Sequence, residues 1–354
     1  MKILKRIIKA TIWSIIIAYA VIVVMVHIPF VQEWIGTQVK SAIEHKLGTK
    51  ADVGKVNIGF LNRIIIDDFS LYDKNGKQMI KSSRLAAKID YGELVRNGRV
   101  SISSAQVFGL KAVFYQKDVA SKANFQFVLD SLASKDKSKK SSLELSITSL
   151  IIRHGAIKFD RHDVAPTPSR FNLSHIDIKN ISGHIAIPYY TSDSLSVSTK
   201  KLSFKDASGL DLKKAKFNFK LATNKQKQST CSLTGLELVL PNTDIRIDHI
   251  AANFTSANGK PDMETLSFDG QLDLSKITLS DFACFAPSLK NATNPLYAKL
   301  TFNGDGHNIN IRGIDLHSQD KGLRLIANGN ISKTNNTLNW HVDVKHLRCS
   351  AQNA

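Results

Sequence analysis

The sequence predicts a mainly β protein in which an N-terminal transmembrane helix and an amphipathic helix precede a large antiparallel sheet. Three observations carry this. Residues 10–28 form an apolar run whose only ionisable side chain is His27. A hydrophobic stripe then recurs every four residues as far as Leu47. From Ala51 onward the period changes to two and stays there, in alternating runs bounded by Gly, Asn, Asp or Pro.

At ~1.5 Å per residue the apolar run makes a helix of ~28 Å, about one hydrocarbon thickness, with Trp13, Ile16, Tyr19 and Val23 along it. Lys2, Lys5, Arg6 and Lys9 precede it and no Lys or Arg follows until Lys40. That bias places residues 1–9 in the cytoplasm and the bulk of the chain across the membrane. A cleaved signal peptide is the competing reading, because Ala18-Tyr19-Ala20 looks like a small-x-small cleavage site. Val21 to Ile28 continues straight past that triplet, which favours a retained anchor.

Residues 29–48 read as the amphipathic helix: Val31, Ile35, Val39, Ile43 and Leu47 share a stripe, and Gly48 stops it. Such a stripe covers the first strands or lies on the membrane surface. Trp34 favours the second place, since indoles prefer the interface. Residues 51–132 are a first β block, with short strands at Val53–Ile58, Arg63–Asp67, Phe69–Tyr72, Leu85–Tyr91 and Val107–Gln116. Tight turns are expected at Asp73–Gly76 and Asn97-Gly98. The block closes with a short helix or loop near 124–132 that buries Phe125, Val128 and Leu132. Residues 133–142, rich in Lys and Ser, have no reason to pack and read as a solvated loop.

Residues 143–354 are almost all strand, with apolar residues on one side and Ser, Thr, Asn, Lys or Asp on the other. A turn is expected at His154-Gly155, a loop at 163–169, and separate short strands at Leu272–Leu274 and Ile277–Leu279. Asp281 to Pro287 is an apolar bend placed to plug an end or corner. One-sided strands with scarcely a helix to cover them close as a sandwich, a barrel or a long curled sheet. No fixed-length repeat emerges, against a propeller or regular β-helix. A membrane barrel would want ~9–11-residue strands and aromatic girdles, and these runs are shorter and poor in aromatics.

The 354 residues carry 48 Lys and Arg against 30 Asp and Glu, a balance of +18. No aromatic-basic cluster resembles a nucleic-acid module, so nucleic acid is not an expected partner. Cys231, Cys284 and Cys349 fit no zinc spacing, leave one unpaired in any disulfide scheme, and read as small buried apolar residues. His154 and His162 read as loop residues, Gly304-Asp305-Gly306 as a turn, and Asp269 and Asp273 as outward strand residues. With no phosphate-binding loop or nucleophile elbow, no enzyme activity, metal or cofactor is expected.

The basic start, one membrane helix, an amphipathic helix ending in Leu47-Gly48, the Val56-Asn57-Ile58 strand and the succession of alternating strands resemble the AsmA-like envelope proteins, TamB branch, of Bacteroides-type sequence. Asn124–Phe127 before a Lys/Ser tract, Gly155–Asp160 after a strand, and Leu272–Ser275 leading to Pro287 resemble it too. The resemblance implies an elongated, curled antiparallel sheet forming a U-shaped trough with an apolar interior. It implies a single-pass protein of the bacterial inner membrane, bulk in the periplasm, that conducts phospholipid toward the outer membrane. A second implied role is outer-membrane protein assembly beside an outer-membrane barrel protein of the BamA/TamA type. Family members are longer and finish with a C-terminal closing domain, so this chain reads as an N-terminal portion.

The expected liners of the apolar face are Ile102, Phe114, Leu145, Ile147, Phe159, Phe217, Phe219, Leu238, Leu300, Phe302, Leu325 and Trp340, and the bland alternative for each is an ordinary sandwich core. Membrane-anchor residues are Trp13, Ile16, Tyr19, Val23 and Trp34. The rival to a conduit is a scaffold that holds a nascent barrel strand by edge pairing. An envelope enzyme on a β-sandwich is the most remote reading.

Overall fold

The computed structural model describes residues 13, 14, 17, 24, 28–59, 63–89, 100–132, 143–190, 194–257, 260–320, 322–334 and 337–350. It divides into two compact units: residues 1–147 with 161–163, and residues 148–160 with 164–354. The expected cytoplasmic tail, most of the apolar run including Ile16, Tyr19 and Val23, the Asn97-Gly98 turn and the Lys/Ser tract lie outside the described residues. No helix among the described residues is long and apolar enough to cross a membrane.

In the first unit, Pro29 opens helix α1 (Pro29–Leu47), sitting in the first turn where its missing N–H costs no bond. Gly48 closes it with φ 60°, and its N–H donates to the Glu44 carbonyl at 2.7 Å. Strands β1 (Ala51–Asp52) and β2 (Val56–Gly59) both pair antiparallel with β3 (Arg63–Tyr72). In turn β3 pairs with β4 (Gln78–Ile89). Along β4 lie β5 (Val100–Phe108) and, through Ile80 and Lys81, β6 (Lys111–Gln116). Helix α2 (Gln126–Leu132) follows.

Ala51, Leu71 and Met79 form the core of this unit, packed against Ile43 and Leu47 of α1, Phe114 of β6, and Phe125, Phe127 and Val128. The C-terminal half of the α1 stripe therefore caps strands, while Phe30 and Trp34 near its start stay exposed. Gly36 is the buried residue of α1, and a Cβ there would lie 3.4 Å from the Gly54 carbonyl oxygen, so its smallness permits close approach of helix to strand connection.

The Asp73–Gly76 turn is held by a buried carboxylate. Asp73 Oδ1 accepts from the N–H groups of Asn75 and Lys77, both at 2.9 Å, and Oδ2 accepts from the Tyr115 hydroxyl at 2.7 Å. Burial by itself pushes this carboxyl up, but the hydrogen bonds from Tyr115, Lys77 and Asn75 outweigh it and hold it below the ordinary value.

The second unit is a meander. Its strands are β7 (Leu143–Arg161, whose residues 148–160 belong here), β8 (His175–Tyr190), β9 (Ser194–Asp206), β10 (Asp211–Thr223), β11 (Gln228–Val239) and β12 (Asp244–Ala257). After the two-residue β13 (Lys260–Pro261) come β14 (Ser267–Ile277), β15 (Leu296–Asp305), β16 (Asn308–Ser318), β17 (Leu323–Thr334) and β18 (Thr337–Cys349). Each pairs antiparallel with the next, except that β14 pairs with β12, because β13 only extends the β12 hairpin.

These strands are longer than the alternation suggested, with β7 at 19 residues and β8 at 16. His154-Gly155 is no turn: His154 has φ 55° and the register shifts on either side of Gly155, so the break is a bulge inside β7. Asp68, at φ 54°, likewise joins two expected strands into β3. A register shift between Leu272 and Ser275 fuses two more into β14 and leaves Leu274 57% exposed, out of phase with Leu272. The cysteines differ from expectation as well: Cys284 is buried, Cys231 half-buried and Cys349 exposed.

Asp73→Asn removes a charged acceptor from a buried network and is expected to cost about 1–3 kcal/mol. The depressed carboxyl stabilises the fold above its unfolded value of about 3.9, and this contribution disappears as pH falls through the folded value. Denaturant melts from pH 6 to pH 2 should therefore show a steeper acid loss for the native chain than for the Asn variant.

Candidate functional site

Residues directly opposite in an antiparallel pair project to the same face, so the registers of β9 to β18 can be followed from strand to strand. One row runs Leu195, Leu221, Cys231, Ala252, Phe268, Gly304, Ile309, Ile331 and Trp340. Its neighbour runs Val197, Phe219, Leu233, Ile250, Gly270, Phe302, Ile311, Gly329 and Val342. A third, starting at β11, is Leu236, Ile247, Leu272, Leu300, Ile314, Ala327 and Val344. Toward β7 the face continues through Ile152, Gly183, Leu202, Ala215, Leu238 and Ile245. No charged residue interrupts any of these rows. At ~4.8 Å per strand, the first two extend roughly 38 Å across the sheet.

A second sheet packed on this face would bury its Leu, Ile and Phe residues completely. They are instead half-buried along most strands, and on β18 Trp340 is 72% exposed and Leu347 64%. Among the described residues of this unit, protein cover is seen at one rim. There Phe282 packs on Leu212, Ala215 and Leu240 together with Leu202, Phe204 and Leu238. Phe282 belongs to the expected plug, which forms two 3₁₀ turns, Leu279–Phe282 and Pro287–Asn291. The Asp281 carboxylate accepts from the Asn242 N–H at 2.8 Å and its Nδ2 at 3.0 Å, and the Thr278 N–H donates to Thr243 Oγ1 at 2.9 Å, so the plug is tied to the β11–β12 turn.

Charge is kept to the opposite face and the strand ends. Asp211 pairs with Lys213 at 2.7 Å and Lys205 at 3.1 Å, Glu237 pairs with Lys214, and Arg246 meets Asp244 at 2.9 Å. His249 bridges Asp248 at 2.9 Å and Asp269 at 3.0 Å. Its hydrogen bond to the Asp248 carboxylate raises it above the ordinary imidazole value, against a smaller opposing effect of burial. On the apolar face, burial pushes the Cys231 thiol up. Among the described residues no group of three or more His, Cys, Asp or Glu is placed to hold a metal ion.

Of the expected liners, Phe217, Phe219, Leu238, Leu300, Phe302, Leu325 and Trp340 share this one face of the second unit. Phe159 lies opposite Ile176 near the end of β7. Leu145 and Ile147 fall in β7 and Ile102 in β5, with side chains outside the described set. Phe114 differs from the expectation: its ring meets Phe125 edge-on at 4.9 Å and packs, half-buried, against the first unit's core rather than joining this face. Trp13 and Trp34 are 55% and 59% exposed. The expectation passed over Ile250, Phe268, Gly270, Ile311, Ile331 and Val342, whose membership in the rows depends on register rather than local pattern.

No protein-family model, curated protein or solved structure matches this chain.

Phe282→Ala should open the covered rim and cost about 2–4 kcal/mol, while Trp340→Ala, at an exposed position, should cost under about 0.5 kcal/mol. Equilibrium unfolding of the two variants side by side measures the difference.

Proposed function

We propose that this chain is an inner-membrane-anchored, periplasmic member of the AsmA-like class, TamB branch, whose apolar sheet face carries phospholipid acyl chains toward the outer membrane. The observation that carries the reading is the set of charge-free rows crossing β9 to β18, with no second layer over them among the described residues of this unit. Water against such a face is costly, and an acyl chain laid along a row regains ~0.8 kcal/mol for each CH₂ removed from water. The rows run across the strands, so a flexible chain can pass from one strand to the next while keeping the same kind of contact. A shielded path lowers the barrier to moving lipid through water and supplies neither energy nor direction. The face holds acyl chains by area alone, and headgroups remain in solvent beyond its edge.

A second reading, an assembly scaffold for outer-membrane proteins acting with a barrel partner, draws support from β18. All its residues are exposed, and Leu338, Trp340, Val342, Val344 and Leu347 present an apolar pattern at the end of the meander. An extended segment with alternating apolar residues would pair there. Proline substitution in β18 blocks that role and leaves acyl passage over β9 to β17 intact, whereas Leu300→Lys does the reverse.

Photo-crosslinking in cells separates the readings from a closed core. With benzophenone residues at Phe219 and Phe302, and outer-face controls at Lys220 and Asn303, phospholipid adducts are expected at the first pair in at least about tenfold excess, equivalent to ~1.4 kcal/mol of preference. Equal labelling at all four positions, or protein adducts alone at the first pair, would remove the conduit reading.

A further inference from the structure

We infer that two cross-strand pairs, Phe302 over Gly270 and Phe268 over Gly304, set the depth of the acyl path where it crosses β14 and β15, and so act as its specificity-determining residues. The inference rests on the conduit reading and adds to it a limit on what can pass. Gly270 stands directly opposite Phe302, and Gly304 opposite Phe268. A Cβ on Gly270 would fall 2.5 Å from Phe302 Cζ and 2.9 Å from Cε1, and one on Gly304 would fall 2.5 Å from Phe268 Cζ. Each ring therefore leans across onto the neighbouring strand and fills the space where a side chain would stand. Neither glycine is among those with positive φ, so backbone conformation does not demand glycine at either place. At Gly270 the ring does, and at Gly304 the ring does so together with the Asn308 carbonyl.

The two rings lie side by side, centroids 6.3 Å apart and tilted by 53°, in the middle of the two longest rows. Rings laid down over glycines keep the path low, whereas rings pushed upright would stand in it. A slim acyl chain makes full contact with such a surface. A fused-ring lipid, which is thick and rigid, does not. Gly270 is the better position to test, because the closest atoms to its Cβ belong to a movable side chain, while a Cβ on Gly304 would also strike the Asn308 carbonyl oxygen at 2.2 Å.

The test uses the full chain in mild detergent, mixed with phosphatidylglycerol vesicles that contain either a diazirine acyl-chain phospholipid or a diazirine sterol. Adducts per chain are counted by mass spectrometry, with melting temperature recorded for every variant. The native chain is expected to take the acyl probe and refuse the sterol. Gly270→Ala should lower acyl labelling about fourfold or more, the equivalent of one CH₂ kept out of contact. Gly270→Ala with Phe302→Leu should restore it, and Phe302→Ala alone should admit the sterol, which keeps the test open if the first variant folds poorly. Equal labelling of the native chain by both probes, or a folded Gly270→Ala variant that labels like the native chain, would overturn the inference. No acyl labelling of the native chain would instead remove the conduit reading, and this inference with it.

Discussion

The second unit depends on one constraint: the two-residue alternation of side chains must stay in phase across successive strands. A slip of one residue anywhere would carry a whole strand's apolar set to the other face. Bulges do not break this phase but correct it. The irregularities between Leu272 and Ser275, between Ile311 and Ile314, and between Ile326 and Ala327 each absorb out-of-phase residues and return Ala298, Leu316 or Leu347 to its row. Polar residues then follow automatically. Lys213, Arg246 and His249 meet carboxylates on the other side or at the strand ends, and a strongly basic chain can keep a face free of charge.

The two units resolve the same problem differently. In the first, apolar strand faces are covered in the ordinary way: α1 brings Ile43 and Leu47, and the segment around α2 brings Phe125, Phe127 and Val128, onto Ala51, Leu71 and Met79. In the second, the cover seen among the described residues is at the rim beneath Phe282, and the remaining rows are left half-buried. Leaving so much apolar surface uncovered makes sense physically when the surface itself has an occupant. The occupant we propose is a mobile acyl chain, since a folded partner would have to match nearly 40 Å of surface, by the ~4.8 Å strand spacing, with no charge for orientation.

The type of fold was legible in the sequence because period-two alternation is local, and so was the helix ending at Gly48. Strand lengths were less so. His154-Gly155, Asp68 and Ser275 carry the composition of breaks, yet ladder hydrogen bonds on both sides keep the strands running through them. Phe217, Phe219, Leu300 and Phe302 could be placed on one face from alternation alone. Phe114 shows the limit of that reasoning: it alternates in the same manner, but a residue it packs on, Phe125, comes from a segment with no strand signal. Gly270 and Gly304 were invisible for the opposite reason, since a glycine signals nothing until the ring lying over it is known.

Contact between acyl chains and the apolar face is the claim on which the account stands, and Cys231 gives direct access to it from within the longest row. With Cys284 and Cys349 replaced by Ser, an environment-sensitive fluorophore on Cys231 would be titrated with phospholipid carrying a nitroxide midway along its acyl chain. The same fluorophore on Lys220→Cys, with all three native cysteines replaced, serves as the outer-face reference. Strong saturable quenching at Cys231, with weak quenching at position 220, is the predicted result. Equal quenching at both positions, or none at Cys231, would contradict it.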